Sequence, residues 1–244
     1  MQKRTGGEIY IGVVGPVRTG KSTFIKRFMD VAVLPYMEDA AQKTRAQDEL
    51  PQSAGGRTIT TTEPKFIPQE AVELKLAGEV TIRVRLVDCV GFMVEGAAGH
   101  LEDGAERLVK TPWYDHEIPF TQAAELGTRK VITDHSTIGV VVTTDGSFSD
   151  LPQETYLDAE NQAISELKKL HKPFLVLVNS SHPSSRTARE AAERIEKQHS
   201  VAAMPVNCAQ LSEEDIRQIM EQILYEFPVS RVEFYMPKWV EMLP

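Results

Sequence analysis

Gly15-Pro16-Val17-Arg18-Thr19-Gly20-Lys21-Ser22 fits the pattern G-x-x-x-x-G-K-[ST], and the rest of the chain is read outward from it. An apolar run at residues 9–14 precedes it and reads as a buried strand. Residues 22–34 follow, with Phe24, Ile25, Phe28 and Val31 at helical spacing ahead of Pro35. A glycine-bounded loop between strand and helix suits phosphate binding. Glycine lets backbone N–H groups turn inward, and a helix N-terminus adds partial positive charge. Backbone N–H groups from 16 to 22 are expected to hold phosphate, within a cradle of Gly15, Pro16, Val17, Arg18, Thr19, Gly20, Lys21, Ser22 and Thr23. Lys21 would reach the β- and γ-phosphates, and the Ser22 hydroxyl would ligate Mg²⁺. The competing reading is an ordinary glycine turn capping a helix; the flanking strand and helix favour the phosphate loop.

Such a loop needs a second acidic group near the metal. Asp88-Cys89-Val90-Gly91 has the form D-x-x-G and closes a strand over residues 80–88. Asp88 can hold Mg²⁺ directly or through water, and the Gly91 backbone can approach a γ-phosphate. The alternative for Asp88 is a strand-ending cap. Between the two motifs lies Thr58-Ile59-Thr60-Thr61-Thr62-Glu63-Pro64. A loop threonine that reaches Mg²⁺ only when the γ-phosphate is present makes a switch. Thr61 and Thr62 are best placed, Thr62 as the metal ligand, although a threonine-rich loop can be simply a loop. Arg57 could act there as an internal arginine finger, and Arg18 could contact phosphate or a neighbouring protomer.

Base choice should follow the strand at residues 174–178. Guanine-specific phosphate-loop proteins carry N-K-x-D there, whose Asp accepts two hydrogen bonds from guanine. This chain reads Asn179-Ser180-Ser181-His182, and a neutral histidine cannot supply paired acceptors. The departure argues against GTP and leaves ATP. Asn179 and Asn207, each ending a strand, are the candidate base-side contacts. Phe92 follows Gly91 where signalling GTPases place a water-orienting glutamine, so hydrolysis is either slow or served by another group.

Apolar runs alternate with amphipathic stretches along the remaining chain, which indicates α/β layering. Strands are expected at 65–76, 80–88, 138–143, 174–179 and 201–206. Helices are expected at 121–134, 153–170, 187–199 and 213–227, with a polar stretch compatible with a helix at 38–50. Gly91, Gly96, Gly99, Gly104, Pro112 and Pro119 break any period over 91–119, which reads as a long irregular insertion helping to contact another protomer. The fold class is a P-loop NTPase of Ras-like (TRAFAC GTPase-type) topology: a mostly parallel sheet, one antiparallel strand over 65–76, and helices on both faces. Residues 1–230 form the nucleotide domain, and 231–244 a tail leading toward omitted regions.

Composition agrees. The chain has 244 residues, of which 41% are apolar and 25% charged, as in an average globular protein. A net charge of −8 disfavours nucleic acid as a partner, since phosphate contacts need clustered Lys and Arg. Cys89 and Cys208 have no ligand spacing and fit a reducing compartment. No apolar run approaches a membrane span, and the start lacks a secretory core, so a cytoplasmic location is expected.

Several strings resemble one family, that of stage IV sporulation protein A: residues 18–24, 47–53, 61–66, 85–91, 111–114, 136–141 and 225–229. Several lie outside the generic phosphate-loop motifs, and the resemblance covers essentially the whole chain. The resemblance implies a spore-coat morphogenetic ATPase whose ATP hydrolysis drives self-assembly into a polymer, the coat basement layer around the forespore. It further implies a mother-cell cytoplasmic location, a small amphipathic membrane-anchoring partner and other coat proteins. By the same resemblance the phosphate-loop lysine falls on Lys21, the Walker B acid on Asp88 and the sensor threonines on Thr61 and Thr62. A GTPase with degenerate base recognition and a nucleotide-binding scaffold without turnover are the alternatives.

Overall fold

The run at 9–14 becomes strand β1, Glu8–Val14, near the middle of a six-stranded sheet. The structure, a computed structural model, describes residues 8–51, 63–75, 81–97, 101–102 and 105–227. Arg57, Thr61, Thr62 and the 231–244 tail lie outside the described residues.

The other sheet strands are β2 (Lys65–Lys75), β3 (Thr81–Asp88), β8 (Ile138–Thr144), β9 (Phe174–Asn179) and β10 (Ala203–Val206). Their order is β10-β9-β8-β1-β3-β2. Every neighbouring pair is parallel except β2 on β3. This is the mostly parallel sheet with one antiparallel strand that the sequence implies. Parallel strands are covered on both faces and so read as continuous apolar runs. β8 is buried at all seven positions and β9 at all six.

Alternation along these strands divides the core in two. Ile11, Val13, Ile138, Val140, Leu175 and Leu177 face one layer, while Val14, Val141, Phe174, Val176 and Val178 face the other. The first layer is covered by α1 (Lys21–Phe28) and α6 (Glu213–Tyr225), through Phe24, Phe28, Ile216, Ile219 and Ile223. The second is covered by α4 (Leu157–Lys169) and α5 (Arg186–His199), through Ala163, Ile164, Leu167, Ala192 and Ile195. Each fully buried Leu, Ile, Val or Phe contributes about 1.5–3 kcal/mol, so the two layers hold the sheet between them. Helix α3 (Phe120–Lys130) and the π-helical turn Val131–His135 complete the second layer with Val131 and Ile132. Polar helix α2, Ala40–Asp48, is capped by Asp39, whose carboxylate accepts the Ala41 and Gln42 N–H groups.

Three elements differ from expectation. The helix over 22–34 is α1 alone, followed by a π-helical turn at Met29–Val33 and a 3-10 turn at Leu34–Tyr36. Pro35, with no N–H, is taken up in that tighter turn. The helix over 153–170 begins as a 3-10 turn at Gln153–Tyr156. The 91–119 stretch contains two small antiparallel ladders, β4 (Leu101–Glu102) with β5 (Ala105–Glu106), and β6 (Leu108–Thr111) with β7 (Tyr114–Pro119). The second is a hairpin turning at Pro112-Trp113. It is largely exposed, so pairing across the turn rather than an apolar face forms it, and hydropathy carries no trace of that.

Candidate functional site

The loops at the C-terminal ends of β1, β3, β9 and β10 assemble the site, the edge where open α/β sheets bind ligands. The loop after β1 is shaped by three left-handed residues: Gly15 at φ +129°, Arg18 at φ +62° and Gly20 at φ +95°. A Cβ on Gly15 would lie 2.4 Å from the Val142 carbonyl oxygen, and one on Gly20 2.3 Å from Asn179 Nδ2, so both positions need glycine. The Thr19 hydroxyl meets the Pro16 carbonyl at 3.0 Å and the Val142 carbonyl at 2.6 Å, fastening the loop to β8. Helix α1 starts at Lys21, so its first N–H groups belong to the loop.

Lys21 is buried, and its Nζ donates to the Pro16 carbonyl at 2.6 Å. Burial pushes its pKa down, while Cys89 and Asp88 oppose the shift. Ser22 Oγ donates to Asp88 Oδ2 at 3.1 Å, and Asp88 Oδ1 accepts the Cys89 N–H at 3.0 Å. Burial raises the Asp88 pKa, countered first by Lys21 and then by the Ser22 hydroxyl. The fold thus brings together Lys21, Ser22 and Asp88. A hydroxyl beside an enclosed carboxylate offers the hard oxygen donors that suit Mg²⁺, which takes one or two protein ligands alongside substrate phosphates. Ser22 and Asp88 would hold it.

The expected donor set needs two corrections. Pro16 has no N–H, and the Val17 N–H donates to the Phe92 carbonyl at 2.8 Å. Any phosphate cradle therefore draws its N–H donors from residues beyond Val17, while Pro16 and Val17 shape the loop. The Phe92 N–H in turn donates to the Gly15 carbonyl at 3.0 Å, so Phe92 and the phosphate loop form a short parallel bridge. The Phe92 ring is fully buried among Val14, Val17 and Val87, in the second core layer. It lies well away from any role in placing water.

Gly91 sits against Lys21: a Cβ there would be 2.5 Å from Lys21 Nζ and 2.4 Å from the Gly15 carbonyl, at φ +103°. Its N–H donates to Thr128 Oγ1 on α3 at 3.1 Å. Thr128 escaped the sequence reading, because a threonine inside a helix carries no local signal of a contact made across the fold. Cys89 is buried with its thiol toward the Val13 carbonyl and its pKa pushed up to about 11, so it is no nucleophile.

Asn179, expected at the base side, also ties together the protein's own loops. Its Nδ2 donates to the Thr19 carbonyl at 2.9 Å and its Oδ1 accepts the Cys208 N–H at 3.0 Å. These two bonds make the amide a strut between the phosphate loop and the loop after β10. Asn207 Oδ1 accepts the Ala209 N–H at 3.1 Å, closing its own turn. Ser180 is buried, and its hydroxyl accepts the His182 N–H at 3.0 Å and meets Ser147 Oγ at 3.4 Å. His182 is exposed and lines a cavity of about 360 Å³ with Asp145, Ser147, Gln153 and Ser185. No phosphate-loop residue is among the side chains that line that cavity.

Residues 1–228 match the family model for the stage IV sporulation protein A ATPase domain. The chain is 50% identical over 243 residues to stage IV sporulation protein A of Clostridioides difficile (strain 630), covering all of this chain and half of that protein. It is 47% identical over 241 residues to the Bacillus subtilis (strain 168) protein of the same name, covering 99% of this chain and 49% of that one. The chain thus spans about half the length of the curated relatives it matches. Among solved structures it resembles SsGBP, crystallised with GDP, at a TM-score of 0.51 and 12% identity over 93% of this chain and 52% of that one. That likeness shows the fold alone, a P-loop α/β domain. With the phosphate loop, the closing Asp88 and a family match across nearly its whole length, the chain belongs to the ATPase-domain family of stage IV sporulation protein A.

Proposed function

We propose that this chain hydrolyses ATP to ADP and phosphate with Mg²⁺, and that turnover drives self-assembly of a spore-coat basement layer around the forespore. The observation that carries the reading is the meeting of Lys21 and Ser22, at the start of α1, with Asp88, at the end of β3. Water attacks the γ-phosphorus, the bond to the β–γ bridging oxygen breaks, and ADP leaves. When bound, Mg²⁺ neutralises charge on the β- and γ-phosphate oxygens. The chain's own part is positioning and charge. Lys21 leaves the Pro16 carbonyl for the phosphates, a stronger acceptor because it is charged. Asp88 holds the Ser22 hydroxyl in place. Thr61 and Thr62 sense the γ-phosphate, with Thr62 as a metal ligand.

ATP rather than GTP is supported by Ser180 and His182. The first turns inward, and the second lacks paired acceptors for guanine. Self-association into a polymer, a small amphipathic membrane-anchoring partner and contacts with other coat proteins complete the proposal, with the mother-cell cytoplasm as its place. No helix among the described residues is long and apolar enough to cross a membrane.

Phosphate release from ATP and from GTP, with Lys21→Ala as the blank, tests the chemistry. ATP-selective release that vanishes in Lys21→Ala is expected; equal or greater release from GTP overturns the base argument. Assembly unchanged by Lys21→Ala or by the Thr61→Ala/Thr62→Ala pair in the full-length protein overturns the link to polymerisation. The buried Phe92 favours a second reading, a scaffold that binds nucleotide without turnover. Nucleotide binding with no phosphate release by the wild type would establish it.

A further inference from the structure

The segment after Asp88 is held at two points, with Val90 and Gly91 between them. At one end Asp88 lies in the β3 ladder with its carboxylate bonded to Ser22 and to the Cys89 N–H. At the other, Phe92 is bonded through both its N–H and its carbonyl to the phosphate loop, and its ring is buried. Gly91 stands between them at φ +103°, beside Lys21 Nζ, with its N–H on Thr128 Oγ1 at 3.1 Å. Thr128 is fully buried, and its hydroxyl donates to the Ala124 carbonyl at 2.8 Å. With the proton on that side, an oxygen lone pair accepts the Gly91 N–H.

We propose that the Thr128 hydroxyl and the γ-phosphate of a bound nucleoside triphosphate compete for one proton, the Gly91 N–H; the inference rests on the hydrolase reading above. A backbone N–H serves one acceptor well. A phosphate oxygen beside Lys21 is charged and attracts it more strongly than a hydroxyl does. Rotation of the 90–91 peptide, open to glycine, moves the proton from one acceptor to the other without displacing Phe92 or Asp88. Thr128 keeps its bond to Ala124 afterwards, so the exchange leaves no buried donor unpaired. A diphosphate has no γ-oxygen there and leaves the Thr128 bond in place. Thr128 is thus a positioning residue: it ties α3 to the phosphate state of the site. Helix α3 continues at Phe120 from the hairpin β6–β7, where the Phe120 N–H donates to the Arg107 carbonyl at 2.8 Å.

The test compares binding of a non-hydrolysable triphosphate with the matching diphosphate in the wild type, Thr128→Val and Thr128→Ser. Thr128→Val keeps the side-chain shape and removes the competing acceptor. It is expected to raise triphosphate affinity relative to diphosphate by roughly three- to tenfold, the worth of one net hydrogen bond. Thr128→Ser is expected to keep the wild-type ratio, which separates the hydroxyl from mere packing. The ¹⁵N-glycine spectrum of the wild type needs no variant: the Gly91 amide resonance should move in the triphosphate complex and stay in place in the diphosphate complex. An unchanged affinity ratio in folded Thr128→Val, or one Gly91 resonance position for both complexes, overturns the competition while leaving the hydrolase reading intact. Failure of the wild type to bind any triphosphate overturns both.

Discussion

Gly91 and Phe92 show how much one residue decides here. Gly91 is at a backbone conformation that side chains rarely adopt, with Lys21 Nζ and the Gly15 carbonyl where a Cβ would go. Gly91→Ala is therefore expected to destabilise the fold by about 1–3 kcal/mol, and to displace Lys21 and cost phosphate release as well. Thermal unfolding and phosphate release on the same sample check both halves. Phe92 occupies the place where a water-orienting glutamine was sought, yet its ring is buried in the second core layer. Phe92→Ala is expected to cost about 3–5 kcal/mol in denaturant unfolding. Phe92→Gln should lose stability and gain no hydrolysis, because the side chain points into the core and its backbone is pinned to Gly15 and Val17. A faster Phe92→Gln enzyme would contradict this placement. Lys21, Ser22 and Asp88 were legible one by one in the motifs. Thr128 was not, since its contact with Gly91 spans 37 residues of chain.

At the scale of elements, the strut between loops matters as much as the loops themselves. Asn179 joins the phosphate loop to the loop after β10 with the two ends of one amide. Asn179→Asp keeps the shape but sets an oxygen against the Thr19 carbonyl. It is expected to destabilise by about 1–3 kcal/mol and to weaken nucleotide binding, checked by unfolding and by titration with a triphosphate. A second tie joins β8, α4 and α5. Glu160 is almost fully buried, accepting the Thr143 hydroxyl at 2.7 Å and an Arg194 N–H at 2.8 Å. Arg194→Met strands that carboxylate. Because Arg194 itself is about one-third exposed, the expected loss is about 2–3 kcal/mol, below the range for a fully enclosed pair. The strands and most helices followed from hydropathy, because each has a face or a whole run to bury. The β6–β7 hairpin did not, since neither of its strands presents a continuous apolar face.

The described residues form a sheet covered on both faces, with the candidate site at one edge, and the chain carries a net charge of −8. That charge should keep it off nucleic acid; a mobility shift with duplex DNA at low salt is expected to show no complex. The sequence by itself determined the strand–loop–helix phosphate-loop motif, the closing aspartate, the departure from the N-K-x-D motif and the family, because these reside in contiguous strings whose residue types permit few other uses. Only the tertiary structure decided that Val17 gives its N–H to Phe92, that Asn179 is a strut and that Thr128 holds Gly91. Each of those bonds joins segments far apart in the chain, and a hydrogen bond has one partner that neither residue's own neighbourhood names. Local chemistry is written in local sequence; the choice of partner waits on which loops the sheet brings to the same edge.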